Sequence, residues 1–256
     1  MSEVLLGSAL VAAGSFTALW LLSLPLKNSS IVDPFWGPGF ALVAWAAYLL
    51  ADDPGGRGLL VAVLVSVWAL RLGLHLTIRN RGMGEDFRYQ AFRRRWRGPY
   101  WIVSLFRVFL LQALLLWVVS LPVQVVMVDG GTPGVIGFIG VALWVVGFFF
   151  ETVGDLQLVR FKRDPANQGK VMDRGLWGLT RHPNYFGDVT VWWGHFLVAV
   201  AGWGSAWTII GPVVMSILLL RVSGVTLMEK SLVGRKPGYE EYAKRVSAFF
   251  PWPTKG

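Results

Sequence analysis

Asp173-Arg174-Gly175-Leu176-Trp177-Gly178-Leu179-Thr180-Arg181-His182-Pro183-Asn184-Tyr185-Phe186-Gly187-Asp188 runs without interruption into an apolar segment that begins at Val189. Sixteen residues combine charge, a histidine, an asparagine, aromatic rings and three glycines, and then the polarity stops. The pattern places polar chemistry at the surface of a bilayer. Composition agrees: mean hydropathy is +0.53, 54% of the 256 residues are hydrophobic, and the 15% that are charged cannot cover a water-soluble globule of this size. Fourteen tryptophans suit a chain that meets membrane interfaces repeatedly.

Outward from this stretch, apolar runs comparable to the roughly 20 residues that cross a bilayer occur at about 4–26, 36–51, 58–78, 101–128, 134–154, 186–203 and 206–227. The expected fold class is all-α, a polytopic membrane bundle of seven transmembrane helices followed by a short amphipathic C-terminal helix over 239–246, forming one domain from 1 to 256. Pro122 is expected to end or kink the fourth span. The first span has Glu3 rather than a basic leader and reads as a retained helix, not a signal peptide.

Loop charge gives an orientation. Segment 79–100 carries seven basic residues, 155–183 six, the region after 227 six, and Lys27 one, so 20 of the 24 lysines and arginines fall in loops of one parity. The positive-inside rule then predicts an outside N terminus and a cytoplasmic C terminus. The formal net charge of +9 is accounted for in this way, and nucleic acid is not an expected partner. Zero cysteines exclude a disulfide framework and a thiolate metal site, and three histidines with no close pair and no His-Glu-x-x-His give only a weak metal signal.

Ionisable groups inside apolar spans cost at least about 2.5 kcal/mol unless they meet a partner or a cavity. Here they fall in spaced sets: Arg71 and His75 four apart, Glu151 and Asp155 four apart, and Asn184, Asp188 and His195 at offsets of four and seven. Each set shares one helical face. His195 taken alone reads first as a packing histidine, and Arg107 and Arg221 read equally as snorkelling side chains. Asp33, in Val32-Asp33-Pro34-Phe35-Trp36-Gly37, is either a turn starter or a partly desolvated carboxylate suited to share a proton. There is no Gly-x-Gly-x-x-Gly and no P-loop, so a nucleotide would need another device.

The run Arg181-His182-Pro183-Asn184-Tyr185-Phe186-Gly187-Asp188 resembles the signature shared by membrane sterol reductases, steroid 5-alpha-reductases and, more loosely, isoprenylcysteine methyltransferases. Together with 31–37, Asn80-Arg81-Gly82, Glu151-Thr152-Val153-Gly154-Asp155 and 170–188, the chain resembles the bacterial branch of the steroid 5-alpha-reductase family over about residues 30–253. That resemblance implies NADPH bound at the cytoplasmic side and a lipophilic, steroid-like enone entering from the lipid bilayer. By matching motif it implies cofactor contacts at Asn80, Asp155, Lys162, Lys170, Asn184 and Asp188, and, by likeness to sterol reductases, at Trp177, His182 and Tyr185. Lys162 and Lys170 replace arginines of animal members, which keeps charge and loses the bidentate fork. Asp33 matches the glutamate that hydrogen-bonds the ketone, but the tyrosine that accompanies it on the third span is missing, with Arg71 and His75 as candidate replacements. The implied activity is NADPH-dependent reduction of an activated C=C bond. Arg181-His182-Pro183 with Glu229, Tyr239 and Tyr242 also resembles the methyltransferase branch, which uses S-adenosylmethionine; a non-catalytic sterol-binding protein is the remaining alternative.

Overall fold

The computed structural model describes residues 1–201, 203–222, 224, 225, 229 and 236–254. Residues 223, 226 and 227 of the last expected span, and the tail cations Lys230, Arg235 and Lys255, lie outside the described residues. Apart from one bridge between Thr180 and Ser247, regular structure among the described residues is helical. Five segments are long and apolar enough to cross a membrane: Ser2–Leu26, Gly55–Asn80, Tyr100–Val119, Gly134–Arg163 and Gly204–Val222. The protein is a multi-pass, integral-membrane helical chain. Two further helices, Val32–Leu50 and Pro183–Ala199, coincide with the expected spans at 36–51 and 186–203. They fall short because the first opens on Asp33, Pro34, Trp36 and Pro38, and the second has only 17 residues.

The chain divides into two compact units, Met1–Gly134 with Ala199–Ile210, and Val135–Val198 with Gly211–Gly256. In the first unit the helices are α1 (Ser2–Leu26), α2 (Val32–Leu50), α3 (Gly55–Asn80), α4 (Phe87–Arg95), α5 (Tyr100–Ser104), α6 (Leu111–Val119) and α7 (Leu121–Asp129). A π-helical turn, Leu105–Leu110, joins α5 to α6. α3 shows how lipid, not water, is the solvent: Leu59, Val63, Val67, Leu70, Leu74 and Ile78 form an exposed apolar stripe, while Val61, Val65, Trp68 and Ala69 are buried. Gly37 sits so close to the Ala69 carbonyl that any side chain would collide with it, which allows α2 and α3 to touch backbone to backbone. Phe40 meets Trp68 edge-on at 5.5 Å inside this contact.

Several polar groups buried in the first unit pair across helices. Gln124 of α7 accepts from Ser8 of α1 at 2.7 Å and donates to Ser120 and to the Trp117 carbonyl. Such bonds are retained in apolar surroundings because an unmet polar group there is costly. Pro122 falls in the first turn of α7, where its missing N–H is harmless, so the apolar run 101–128 is divided at Ser120 as expected.

In the second unit, α8 (Gly134–Arg163) and α9 (Pro183–Ala199) are antiparallel and packed through glycine. A Cβ on Gly140 would lie 2.7 Å from the Gly194 oxygen, one on Gly147 would lie 2.6 Å from the Gly187 oxygen, and one on Gly154 would meet the Pro183 ring at 3.1 Å. The glycines recur every seven residues, the repeat that keeps one seam of a helix facing its neighbour. This contact fixes the register that brings the acidic end of α8 beside the start of α9. α10 (Ile210–Ile217) and the short C-terminal helix α11 (Tyr239–Arg245) complete the unit; α11 buries Tyr239 and Tyr242 against Val171 and Ala243.

Candidate functional site

The second unit gathers most of the polar residues singled out in the sequence. Asn184 on the first turn of α9 donates from Nδ2 to Asp155 Oδ1 on α8 at 3.0 Å, and its own oxygen accepts from the Tyr185 N–H at 3.0 Å. Asp155 and Asp188 are buried, as is Glu151 one turn before Asp155. Trp177 donates its indole N–H to the Gly154 carbonyl at 2.9 Å, which hangs the 175–178 turn on the same part of α8. His182 is buried and stacks on Tyr185, with ring centroids 5.7 Å apart and planes 16° from parallel. Thus Asp155, Trp177, His182, Asn184, Tyr185 and Asp188 belong to one end of the α8–α9 pair.

The turn that carries His182 is held by residues far along the chain. Arg181 donates from Nε to Glu229 at 2.7 Å and from Nη1 to the carbonyls of Ala243 and Val246, both at 2.8 Å. His182 Nε2 lies 3.3 Å from the same Glu229 oxygen. Thr180 donates to the Phe249 carbonyl at 2.8 Å, and Tyr242 donates to the Trp177 carbonyl at 2.6 Å. Burial pushes the His182 imidazole below its ordinary pKa, and Glu229 only partly offsets this. The ring is therefore neutral near pH 7, able to accept at one nitrogen.

Lys162 ends α8, exposed, and lines a cavity of about 340 Å³ with Arg163, Asn167, Gly169 and Lys236. Lys170 is also exposed, and its carbonyl accepts from Lys236 Nζ at 2.8 Å. His195 is 1% exposed and lies against the rings of Trp144 and Trp192. It sits deeper along α9 than the polar cluster, in the manner of a packing residue.

Asn80, Asp33, Arg71 and His75 belong to the first unit. Asn80 is the last residue of α3 and accepts from Arg79 Nε at 3.2 Å. Arg71 and His75 are half-buried, one turn apart on α3. Asp33, in the first turn of α2, accepts from Tyr89 Oη at 2.5 Å and from Arg88 Nη2 at 2.6 Å. Both donors come from α4. Trp36 donates to Gln112 Oε1 at 2.5 Å, and Gln112 Nε2 points to Tyr89 Oη at 3.5 Å, so the phenol is held from two sides. Burial, then the charge of Asp33, pushes the Tyr89 hydroxyl well above its usual pKa, so it remains a proton donor.

Tyr89, Arg88 and Gln112 are what sequence reasoning missed. Segment 79–100 reads as an orientation signal, which hides a helix whose two faces differ. On α4, Arg88, Tyr89, Phe92 and Arg93 are half-buried while Phe87, Gln90, Ala91, Arg94 and Arg95 are exposed. The available signal was Asp86 as an N-cap, accepting from the Arg88 N–H at 2.9 Å, followed by an aromatic and an arginine recurring at helical spacing.

Residues 19–246 match a family described as "Protein of unknown function (DUF1295)". The chain is 27% identical over 264 aligned positions to "Uncharacterized protein C594.04c" of Schizosaccharomyces pombe, covering 91% of this chain and 75% of that protein. A shorter likeness, 36% identity over 63 residues, links 25% of the chain to 22% of "Probable O-methyltransferase ustE" of Ustilaginoidea virens. No solved structure matches.

Proposed function

We propose, from the premise that this chain belongs to the DUF1295 family, that it is a membrane reductase of an activated C=C bond in a steroid-like lipid, with NADPH as reductant. In this reading all seven helical segments span the bilayer, the N terminus lies outside and the C terminus is cytoplasmic, as the charge of the loops favours. The observation that carries the reading is the bond from Asn184 to buried Asp155, with Asp188, His182, Tyr185 and Trp177 around the same helix end. Such a donor set suits a dinucleotide: carboxylate and amide groups for ribose hydroxyls and a carboxamide, flat rings for stacking, and Lys162 and Lys170 as exposed cations for phosphate. Asn80, in the other unit, remains a cofactor candidate on its motif alone.

Bound NADPH would supply a hydride for the β carbon of the enone. The chain's own task is at the ketone oxygen, where enolate charge develops. Asp33 and Tyr89 form the pair assigned to it, Tyr89 taking the role for which Arg71 and His75 were the sequence candidates. Arg88 braces Asp33, and when the ketone binds, the Tyr89 hydroxyl turns its single proton from Asp33 to the substrate oxygen. Water then protonates the α carbon.

The test is NADPH consumption, compared with NADH, by detergent-purified protein given progesterone or testosterone, with products identified by mass. A gain of two hydrogens that requires NADPH is expected. Asp33→Ala and Tyr89→Phe should each lower turnover by about 10²-fold or more with little change in NADPH affinity. Asn184→Ala should weaken NADPH binding instead. Wild-type turnover in both ketone-site variants would remove that pair from the mechanism.

A second reading has one observation in its favour, the partial likeness to a probable O-methyltransferase. Under it the same α8–α9 end, with Glu229 and Tyr242 fixed to Arg181 and Trp177, would hold S-adenosylmethionine. Binding of S-adenosylmethionine without binding of NADPH would put this reading first.

A further inference from the structure

Arg107 is the eighth residue of the apolar segment Tyr100–Val119, about 10 Å from its start at 1.5 Å per residue. Its guanidinium stacks on the Trp96 ring, 4.8 Å from the centroid. Among the described residues it forms no ion pair, whereas the other arginines directed inward from this region do: Arg88 with Asp33 and Asp86, and Arg93 with Glu85. The π-helical turn Leu105–Leu110 adds a residue to the register where Arg107 stands, and it lines a cavity of about 230 Å³ with Arg88, Tyr89, Phe92, Val108 and Gln112. A guanidinium at this depth in an apolar segment requires a counter-charge. The protein has committed its nearby carboxylates elsewhere.

The residues around the stacked tryptophan point the same way. Arg94, Arg95 and Arg97 are exposed and have no carboxylate within 4.0 Å among the described residues. Trp101 is exposed on the next turn, its carbonyl accepting from the Trp20 indole N–H, and Phe87 is exposed on α4. Arginines interleaved with aromatic rings at the end of an apolar helix match a bilayer interface, where rings occupy the headgroup level and guanidinium forks meet phosphate.

We infer that Arg107, with Arg94, Arg95 and Arg97 around Trp96, is a binding site for the headgroup phosphate of an anionic phospholipid. The planar guanidinium, held flat by the indole, presents its N–H edge to the phosphate, while the outer arginines of α4 supply the surrounding positive field. The inference does not depend on the reductase reading.

The test uses the full-length protein released from mixed vesicles of phosphatidylglycerol and phosphatidylcholine with matched acyl chains, with retained lipid counted by native mass spectrometry. Preferential retention of phosphatidylglycerol is expected, reduced about fivefold in Arg107→Gln and reduced further when Arg94, Arg95 and Arg97 are replaced by Gln together. Equal retention of the two lipids by wild-type protein overturns the proposal, as does undiminished phosphatidylglycerol in a folded Arg107→Gln. If that variant does not fold, the triple variant decides, and undiminished phosphatidylglycerol there overturns it equally. Inorganic phosphate that displaces the lipid at comparable concentration would assign the site to free phosphate and overturn the lipid assignment.

Discussion

Two carboxylates in this protein are gripped in the same way and to different ends. In the first unit Asp33 receives Arg88 and Tyr89; in the second, Glu229 receives Arg181 and lies against His182. The Arg88 side chain is 37% exposed, and among the described residues it bonds, apart from Asp33, its near neighbour Asp86. The Arg181 side chain is 11% exposed and also donates to two backbone carbonyls of the C-terminal segment. One arginine trims a side chain, and the other ties distant pieces of backbone together. Similar ion-pair geometry therefore orients a side chain in the first unit and fastens backbone in the second.

The largest effect that would sharpen or break this contrast is on stability. Arg181→Ala leaves Glu229 and two carbonyls without their donor, and a broken buried pair costs about 3–5 kcal/mol. Arg88→Ala, which removes a partly exposed donor and leaves Asp33 still bonded to Tyr89, should cost less, about 1.5 kcal/mol. Thermal unfolding of the two variants in one detergent measures both; equal losses would dissolve the distinction. Next in size is Gly147→Ala. Its Cβ would stand 2.6 Å from the Gly187 oxygen, so α8 and α9 must move apart at a cost of about 1–3 kcal/mol. Because that seam positions Asp155 against Asn184, the proposed function predicts that NADPH affinity falls with the melting temperature, while a turnover assay saturated in NADPH recovers.

The smallest effect concerns pH. The His182 pKa is lowered in the folded protein from an ordinary 6.5, so below about pH 6.5 the unfolded chain takes up the proton first. The neutral ring's contribution is complete above that value and is lost as pH falls toward the folded pKa. His182→Asn should flatten the acid limb of the stability profile, and an unchanged limb would place the titration elsewhere.

What could be read beforehand follows from periodicity. Helices announce themselves by apolar runs, and offsets of four put Glu151 with Asp155 and Asn184 with Asp188 on their proper faces before any fold was known. The stretch 173–188 likewise holds most of the polar and aromatic residues that gather at one end of the α8–α9 pair. The grip on Asp33 was not legible, because Tyr89 reaches it from a helix 56 positions away, and separation in sequence carries no period. The glycines at 140, 147 and 154 were legible in principle, being a heptad of the smallest residue, but their meaning depends on a partner helix that supplies Gly187 and Gly194. Arg71 and His75 stand as replacements for the missing tyrosine because they lie on the helix where that tyrosine would be; under the proposed function the phenol of Tyr89, from the basic segment 79–100, takes that role instead.

The Arg181 knot also sets an order of events. The turn at 180–184 draws its hydrogen bonds from carbonyls as many as 69 positions later in the chain, whereas α8 and α9 need only each other to close their glycine seam. Closing so long a loop is entropically slow compared with pairing adjacent helices. As the chain emerges during synthesis, the helix pair can be in place while the His182 turn is still unformed, and that turn acquires its final shape only when the segment beyond Val246 arrives.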